Sequence, residues 1–298
     1  MDMLYKIFGK FWEGVKISDD KLHAAQVLPE GIKEVNNIPY TDSGSEYHLF
    51  DVYYPESADK PLPVIIDIHG GGWMYATKEL NKIYCQYLAK RGFVVFNLSY
   101  RLVPEVRVPE QLRDISLALC KINEVMSSYP CDREKIMLTG DSAGGQLAAY
   151  TAAISENSEL RDHFECRDHG LHFSCLTLTS PVAFMNDSLP MGFYCRMMWG
   201  ERGFRRSILR YMNIDELIRE TDIFPPTLLV TSSGDTLGLS QTRRLFRVLL
   251  ENSKEAKLLD FPKFQGKNLP HVFGVLEPYS PAGKIYIDKM VQFFKASV

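Results

Sequence analysis

The residues of this chain that could do chemistry lie in a few short stretches. One is Gly140-Asp141-Ser142-Ala143-Gly144-Gly145, a G-x-S-x-G pattern between the apolar run KIMLTG and the helical run AGGQLAAYTAAI. A strand must turn sharply into a helix at Ser142. The turn is tight, so its flanking residues must be small. It pushes the serine hydroxyl above the strand, while the helix N-terminus places amide N–H groups and a positive dipole end beside any anion formed there. This suits a nucleophilic serine.

A second stretch is His69-Gly70-Gly71-Gly72-Trp73, at the end of PVIIDIH. Consecutive glycines let backbone approach a ligand without interference from Cβ. In a strand–turn–helix serine site, the oxyanion donors are the amide after the nucleophile and amides of the loop after the third strand. Here those are Ala143, Gly71 and Gly72, and one such donor is typically worth about 3 kcal/mol in the transition state. His69 is expected to bond the loop backbone and to move no proton.

A serine hydroxyl is a poor nucleophile at neutral pH and needs a base. Acid and base are expected to follow the serine in the order Asp/Glu, then His. Asp235, in Gly234-Asp235-Thr236-Leu237, comes directly after the apolar run TLLVTSS; His271, in Leu269-Pro270-His271-Val272-Phe273, is the only histidine beyond residue 172. His271 would take the serine proton, and Asp235 would fix the imidazole tautomer and stabilise the imidazolium. A further cluster, His163, Cys166, His169 and His172, has zinc-ligand chemistry. Gly170 interrupts any helix there, so a solvated connector is expected, with no metal. No cofactor is called for.

These side chains must be positioned by the elements around them. Apolar runs at 47–54, 63–69, 93–99, 135–140, 174–180, 227–233 and 256–261 read as strands. Helical patterns fall near 78–91, 109–128, 143–156, 239–252 and 281–296. Several strands are apolar on both faces, which marks a mostly parallel sheet covered by helices on both sides. Ligands in such folds bind beyond the carboxyl ends of the strands, where Ser142, Asp235, His271 and the glycine loop all fall. Two stretches break the alternation: about 1–40, and about 183–222. The latter is dense in Met and aromatics (Met185, Met191, Phe193, Tyr194, Met197, Met198, Trp199, Phe204, Tyr211, Met212). It reads as a helical insertion with its own small core, or as a cap offering a soft apolar wall to an acyl group. The whole of 1–298 is expected to be one domain carrying these cap elements.

Composition narrows the function classes. With Lys+Arg 34 against Asp+Glu 37, the net charge is -3 and no broad basic surface awaits nucleic acid. No apolar stretch approaches the roughly 18 residues of a membrane-spanning helix. The N-terminal segment has apolar residues at Leu4, Phe8, Phe11 and Val15, a helical spacing broken by Lys6, Lys10 and Glu13. It is read as a helix packing on its own domain rather than an export signal, with an oily face that could contribute to a homodimer. The six cysteines contain no Cys-x-x-Cys pair and are expected to be reduced, which points to the cytoplasm.

Taken together, H-G-G-G-W at 69–73, Y-R-L-x-P-E at 100–105, G-D-S-A-G-G at 140–145 and the Asp235 and His271 contexts resemble the hormone-sensitive-lipase-like branch of the α/β-hydrolases, which includes many bacterial carboxylesterases. The resemblance runs from about 65 to 275 and keeps the family's order. It implies an α/β-hydrolase fold, with Ser142 as nucleophile, Asp235 as acid, His271 as base, and Gly71, Gly72 and Ala143 as the oxyanion hole. It also implies a cap built from an N-terminal segment and an insertion after the sixth strand. The family often has Gly after its histidine, where this chain has Val272; it often has a smaller residue where this chain has Tyr75, a change that would narrow the mouth of the site. The expected function is a serine carboxylesterase acting on short acyl esters of small molecules. An amidase or formamidase would use the same residues, and a non-catalytic small-molecule receptor is a third class.

Overall fold

A computed structural model describes residues 2–184, 195, 197–200 and 209–298. Its centre is a sheet of eight strands: β1 Ile32–Pro39, β2 Leu49–Pro55, β3 Leu62–Ile68, β4 Val94–Leu98, β5 Cys131–Asp141, β6 Cys175–Thr179, β7 Thr227–Ser232 and β8 Ala256–Phe261. They lie in the order β1-β2-β4-β3-β5-β6-β7-β8. β1 and β2 pair antiparallel and β2 is antiparallel to β4; every other pairing is parallel. The helices bounded within the described residues are α1 Asp2–Ala24, α2 Lys82–Lys90, α3 Val108–Val125, α4 Ser142–Ser155, α5 Ser158–Phe164, α6 Ile214–Glu220, α7 Leu239–Glu251, α8 Phe273–Leu276 and α9 Pro281–Ala296.

The period of two along a strand divides the core. In β3, Val64, Ile66 and Ile68 face a cluster shared with Leu112 and Ile115 of α3 and Leu147 of α4. Ile65 faces the opposite cluster, with Tyr84 and Leu88 of α2 and Tyr286, Met290 and Phe294 of α9. Every residue of β4 and β6 is buried, which is why these runs read as apolar throughout. The expected class, a mostly parallel sheet with helices on both faces, is the one observed.

Three boundaries differ from the sequence reading. Residues 32–39, grouped there with the N-terminal cap stretch, form the edge strand β1. The strand was hidden because its sequence, IKEVNNIP, does not alternate: it is half-exposed and shifts register between Val35 and Ile38. The connector around His163 contains α5 and is not simply solvated: Leu160, Phe164 and His169 are buried. His169 lies with Nε2 2.7 Å from the Ser155 hydroxyl and accepts from the Leu171 amide through Nδ1 at 3.1 Å. Burial lowers its pKa to about 4, so it stays neutral.

Within 183–222, Met198, Trp199, Tyr211, Met212, Ile214 and Leu217 join the main core and do not form a separate one. Met185, Met191, Phe193, Tyr194 and Phe204 lie outside the described residues. At the N-terminus the expected helix is present as α1, with Val15 half-buried; the side chains of Leu4, Phe8 and Phe11 also lie outside the described residues. Among the described residues no helix is long and apolar enough to cross a membrane.

Candidate active site

β5 ends at Asp141 and α4 begins at the next residue, so the chain turns from strand to helix within one peptide. Ser142 takes a left-handed φ of 51° to make that turn, a conformation costly for a residue with a Cβ. Gly144 shows why the pattern needs its second glycine. A Cβ there would lie 2.1 Å from the Ile68 carbonyl oxygen and 2.3 Å from that of His69. The first turn of α4 thus rests directly on the end of β3.

The structure brings the predicted side chains together from three strand ends. His271 Nε2 lies 2.9 Å from Ser142 Oγ, and His271 Nδ1 lies 2.8 Å from Asp235 Oδ1. Asp235 follows β7 and is 1% exposed. Burial pushes its carboxyl pKa up, but hydrogen bonds from His271, Ser180 and the Gly238 amide, with the His271 charge, outweigh it; the net shift is downward. Its oxygens also accept from the Leu237 amide at 3.2 Å and from Thr231 Oγ1 at 3.2 Å. A carboxylate so placed stays charged, and the donors leave its lone pair toward His271 fixed in direction. Val272, just after the histidine, takes a left-handed φ of 50°. A β-branched residue tolerates this poorly, whereas glycine would adopt it without strain.

The loop after β3 lies beside the serine. Its Gly71 and Gly72 have φ of 103° and 56°. Ala143 is in the first turn of α4, where backbone N–H groups have no partner within the helix. His69 is fully buried. Its ring stacks on Tyr100 at 4.4 Å between centroids, its Nδ1 donates to the Gly70 carbonyl at 2.8 Å, and burial lowers its pKa to about 4. Tyr100 in turn donates to the His69 carbonyl at 2.7 Å, which gives the Y-R-L-x-P-E stretch its place under the loop.

A buried acidic pair missed at the sequence level holds this loop from behind. Asp141 Oδ1 accepts from the Gly70 amide at 3.0 Å and from Asn81 Nδ2 at 2.8 Å, and the same Asn81 nitrogen reaches Asp67 Oδ2 at 2.9 Å. Burial first, and the Asp141 charge second, push the Asp67 pKa up to about 8. The one available signal was an acidic residue inside the apolar run PVIIDIH. Beyond the loop opens a pocket of about 440 Å³, lined by Lys16 and Asp19 of α1 and by Met74, Tyr75, Leu80 and Leu102.

Strand order, the turn at Ser142 and the placement of Asp235 and His271 after β7 and β8 are those of the α/β-hydrolase fold. Residues 50–175 match the BD-FAE family. The chain is 33% identical over 129 residues to the versiconal hemiacetal acetate esterase of Dothistroma septosporum, covering 42% of this chain and 39% of that one. It is 37% identical over 112 residues to neutral cholesterol ester hydrolase 1 of Rattus norvegicus, covering 36% and 27%. The matches thus span well under half the length of these curated relatives. Over its whole length it is similar to esterase B of Lactobacillus rhamnosis, solved with a C6-C4 inhibitor, with a TM-score of 0.93, 28% identity, and coverage of 100% and 97%. The resemblance read from the motifs, to the esterases of the α/β-hydrolase fold, is borne out.

Proposed function

We propose that this chain is a serine carboxylesterase that hydrolyses short acyl esters of small molecules. The observation that carries the reading is the unbroken hydrogen-bonded chain Ser142–His271–Asp235 beneath the Gly71–Gly72 loop. Ser142 Oγ attacks the ester carbonyl as His271 Nε2 takes its proton. The tetrahedral oxyanion is held by the amides of Gly71, Gly72 and Ala143. Collapse of the intermediate expels the alcohol, which takes the proton back from His271 and leaves an acyl-serine. Water, deprotonated by His271, attacks that ester, and the carboxylic acid departs as Ser142 regains its proton. Asp235 stays ionised throughout and stabilises the imidazolium.

Support for short acyl groups comes from the bulky Tyr75 packed against Gly71, and from a related esterase B structure inhibited by a C4-C4 tributyrin phosphonate, which is 29% identical to this chain. Ser142→Ala is expected to abolish turnover of a short p-nitrophenyl ester while the protein stays folded. Substantial remaining activity would overturn the mechanism. An ester and its matching amide, assayed side by side, are expected to show the ester preferred; faster amide turnover would make the enzyme an amidase. A rate series over acyl length should peak at about two to four carbons if Tyr75 narrows the acyl site, since such a site gains binding energy only until it is full. A peak at long chains would overturn that part of the proposal.

A further inference from the structure

The loop that presents the Gly71 and Gly72 amides is held in a shape that its residues resist. Trp73 and Ala76 have left-handed φ of 64° and 74° although neither is glycine. Strained backbone persists only where the surroundings over-determine it. Two anchors belong to the body of the fold. At the start, the Gly70 amide is bound by Asp141. In the middle, the Trp73 indole donates to Gln146 of α4 at 3.0 Å, and its carbonyl accepts from the Val103 amide and from Gln111 Nε2 of α3, each at 2.9 Å.

The third anchor comes from α1. The Tyr75 ring stacks on Trp12, with centroids 5.4 Å apart and planes 14° apart. Asp19, about two turns further along α1, acts on the Tyr75 hydroxyl through its charge and a side-chain hydrogen bond. Burial and the Asp19 charge both hold this phenol above its ordinary pKa, so it remains a donor. The main chain of Tyr75 meanwhile sits directly on Gly71. The Gly71 carbonyl accepts from the Tyr75 amide at 3.0 Å and from the Met74 amide at 3.1 Å. A Cβ on Gly71 would lie 2.2 Å from the Tyr75 carbonyl oxygen. Tyr75 therefore cannot shift without moving the Gly71 peptide.

We infer that Tyr75 is a positioning residue: clasped by Trp12 and Asp19, it makes the geometry of the oxyanion amides depend on the seating of α1. The inference rests on the serine-esterase reading and extends it, because it gives the N-terminal helix a part in the rate of the chemical step as well as in covering the pocket. A small side chain at position 75 would leave α1 nothing to clasp. The clasp acts on the transition state, since the loop amides meet full negative charge only there.

The test uses Trp12→Ala, Trp12→Phe, Tyr75→Phe and Asp19→Asn in the full chain, with wild type and Ser142→Ala alongside. Trp12→Ala is expected to lower kcat about tenfold with KM within about twofold, the pattern of an interaction made in the transition state. Its affinity for a trifluoromethyl ketone, which forms an oxyanion on the serine, should fall by the same factor as kcat/KM. Trp12→Phe, which keeps a ring to stack, should restore most of the loss. Tyr75→Phe and Asp19→Asn should each show a smaller loss in the same direction, and they carry the test if Trp12→Ala does not fold. Unchanged kcat in these variants would overturn the inference, as would a rise in KM alone or a loss that Trp12→Phe does not restore. Failure of the esterase reading is separately visible: wild type would be inactive, or Ser142→Ala would keep activity, whatever the α1 variants do.

Discussion

At the scale of single residues, the site sets two carboxylates in opposite states. Asp235 is buried yet ionised, because donors and His271 surround it. Asp67 is buried beside another acid, and burial with that second charge pushes its pKa up to about 8. The folded value of Asp67 thus lies above the unfolded value of about 4. Its stabilising contribution is complete below about pH 4 and is lost as pH rises through about 8. Asp67→Asn removes this dependence. Between about pH 5 and about pH 8, the melting temperature of wild type should fall steadily relative to that of the variant. Parallel curves would mean that Asp67 is ionised throughout.

At the scale of elements, the decisive contact is between the first turn of α4 and the end of β3. Both sides of it are backbone, so neither can give way by a rotamer change. Gly144→Ala would place its Cβ 2.1 Å from the Ile68 oxygen. Overpacking of a core typically costs about 1–3 kcal/mol, and a clash between main chains belongs at the upper end or above. Gly14→Ala on α1 is the matched control, since nothing lies within 4 Å of a Cβ there. It should be neutral or should stabilise by up to about 1 kcal/mol, because alanine is the better helix former. Urea unfolding of the two variants checks the contrast.

At the scale of the molecule, the two hydrophobic clusters lie on opposite faces of one sheet and share its strands: Ile65 of β3 belongs to one, and Val64 and Ile66 to the other. Neither face can lose its helices without exposing strands that the other face needs. We therefore expect one cooperative unfolding event for the whole chain. In a Trp12→Phe background, backbone circular dichroism should coincide with the fluorescence of Trp73 and Trp199, both buried on one face. Separated transitions would show that the faces melt independently, and that the chain is not one domain.

How much of this was legible beforehand follows from where each signal lies. The strand runs, the turn at Ser142, the glycine loop and the order of Asp235 and His271 are local patterns, set by backbone sterics and by hydrophobic period. A single chain read left to right therefore determined the fold class and the candidate residues. β1 escaped because an edge strand need not alternate. Tertiary structure alone decided the rest: that Asn81 bridges Asp67 and Asp141, that Trp12 meets Tyr75, that the described part of 183–222 feeds the main core. These pairs are distant in sequence and carry no local periodicity. Their energies arise only when separate elements exclude water from a shared boundary, and no window along the chain contains both sides of such a boundary.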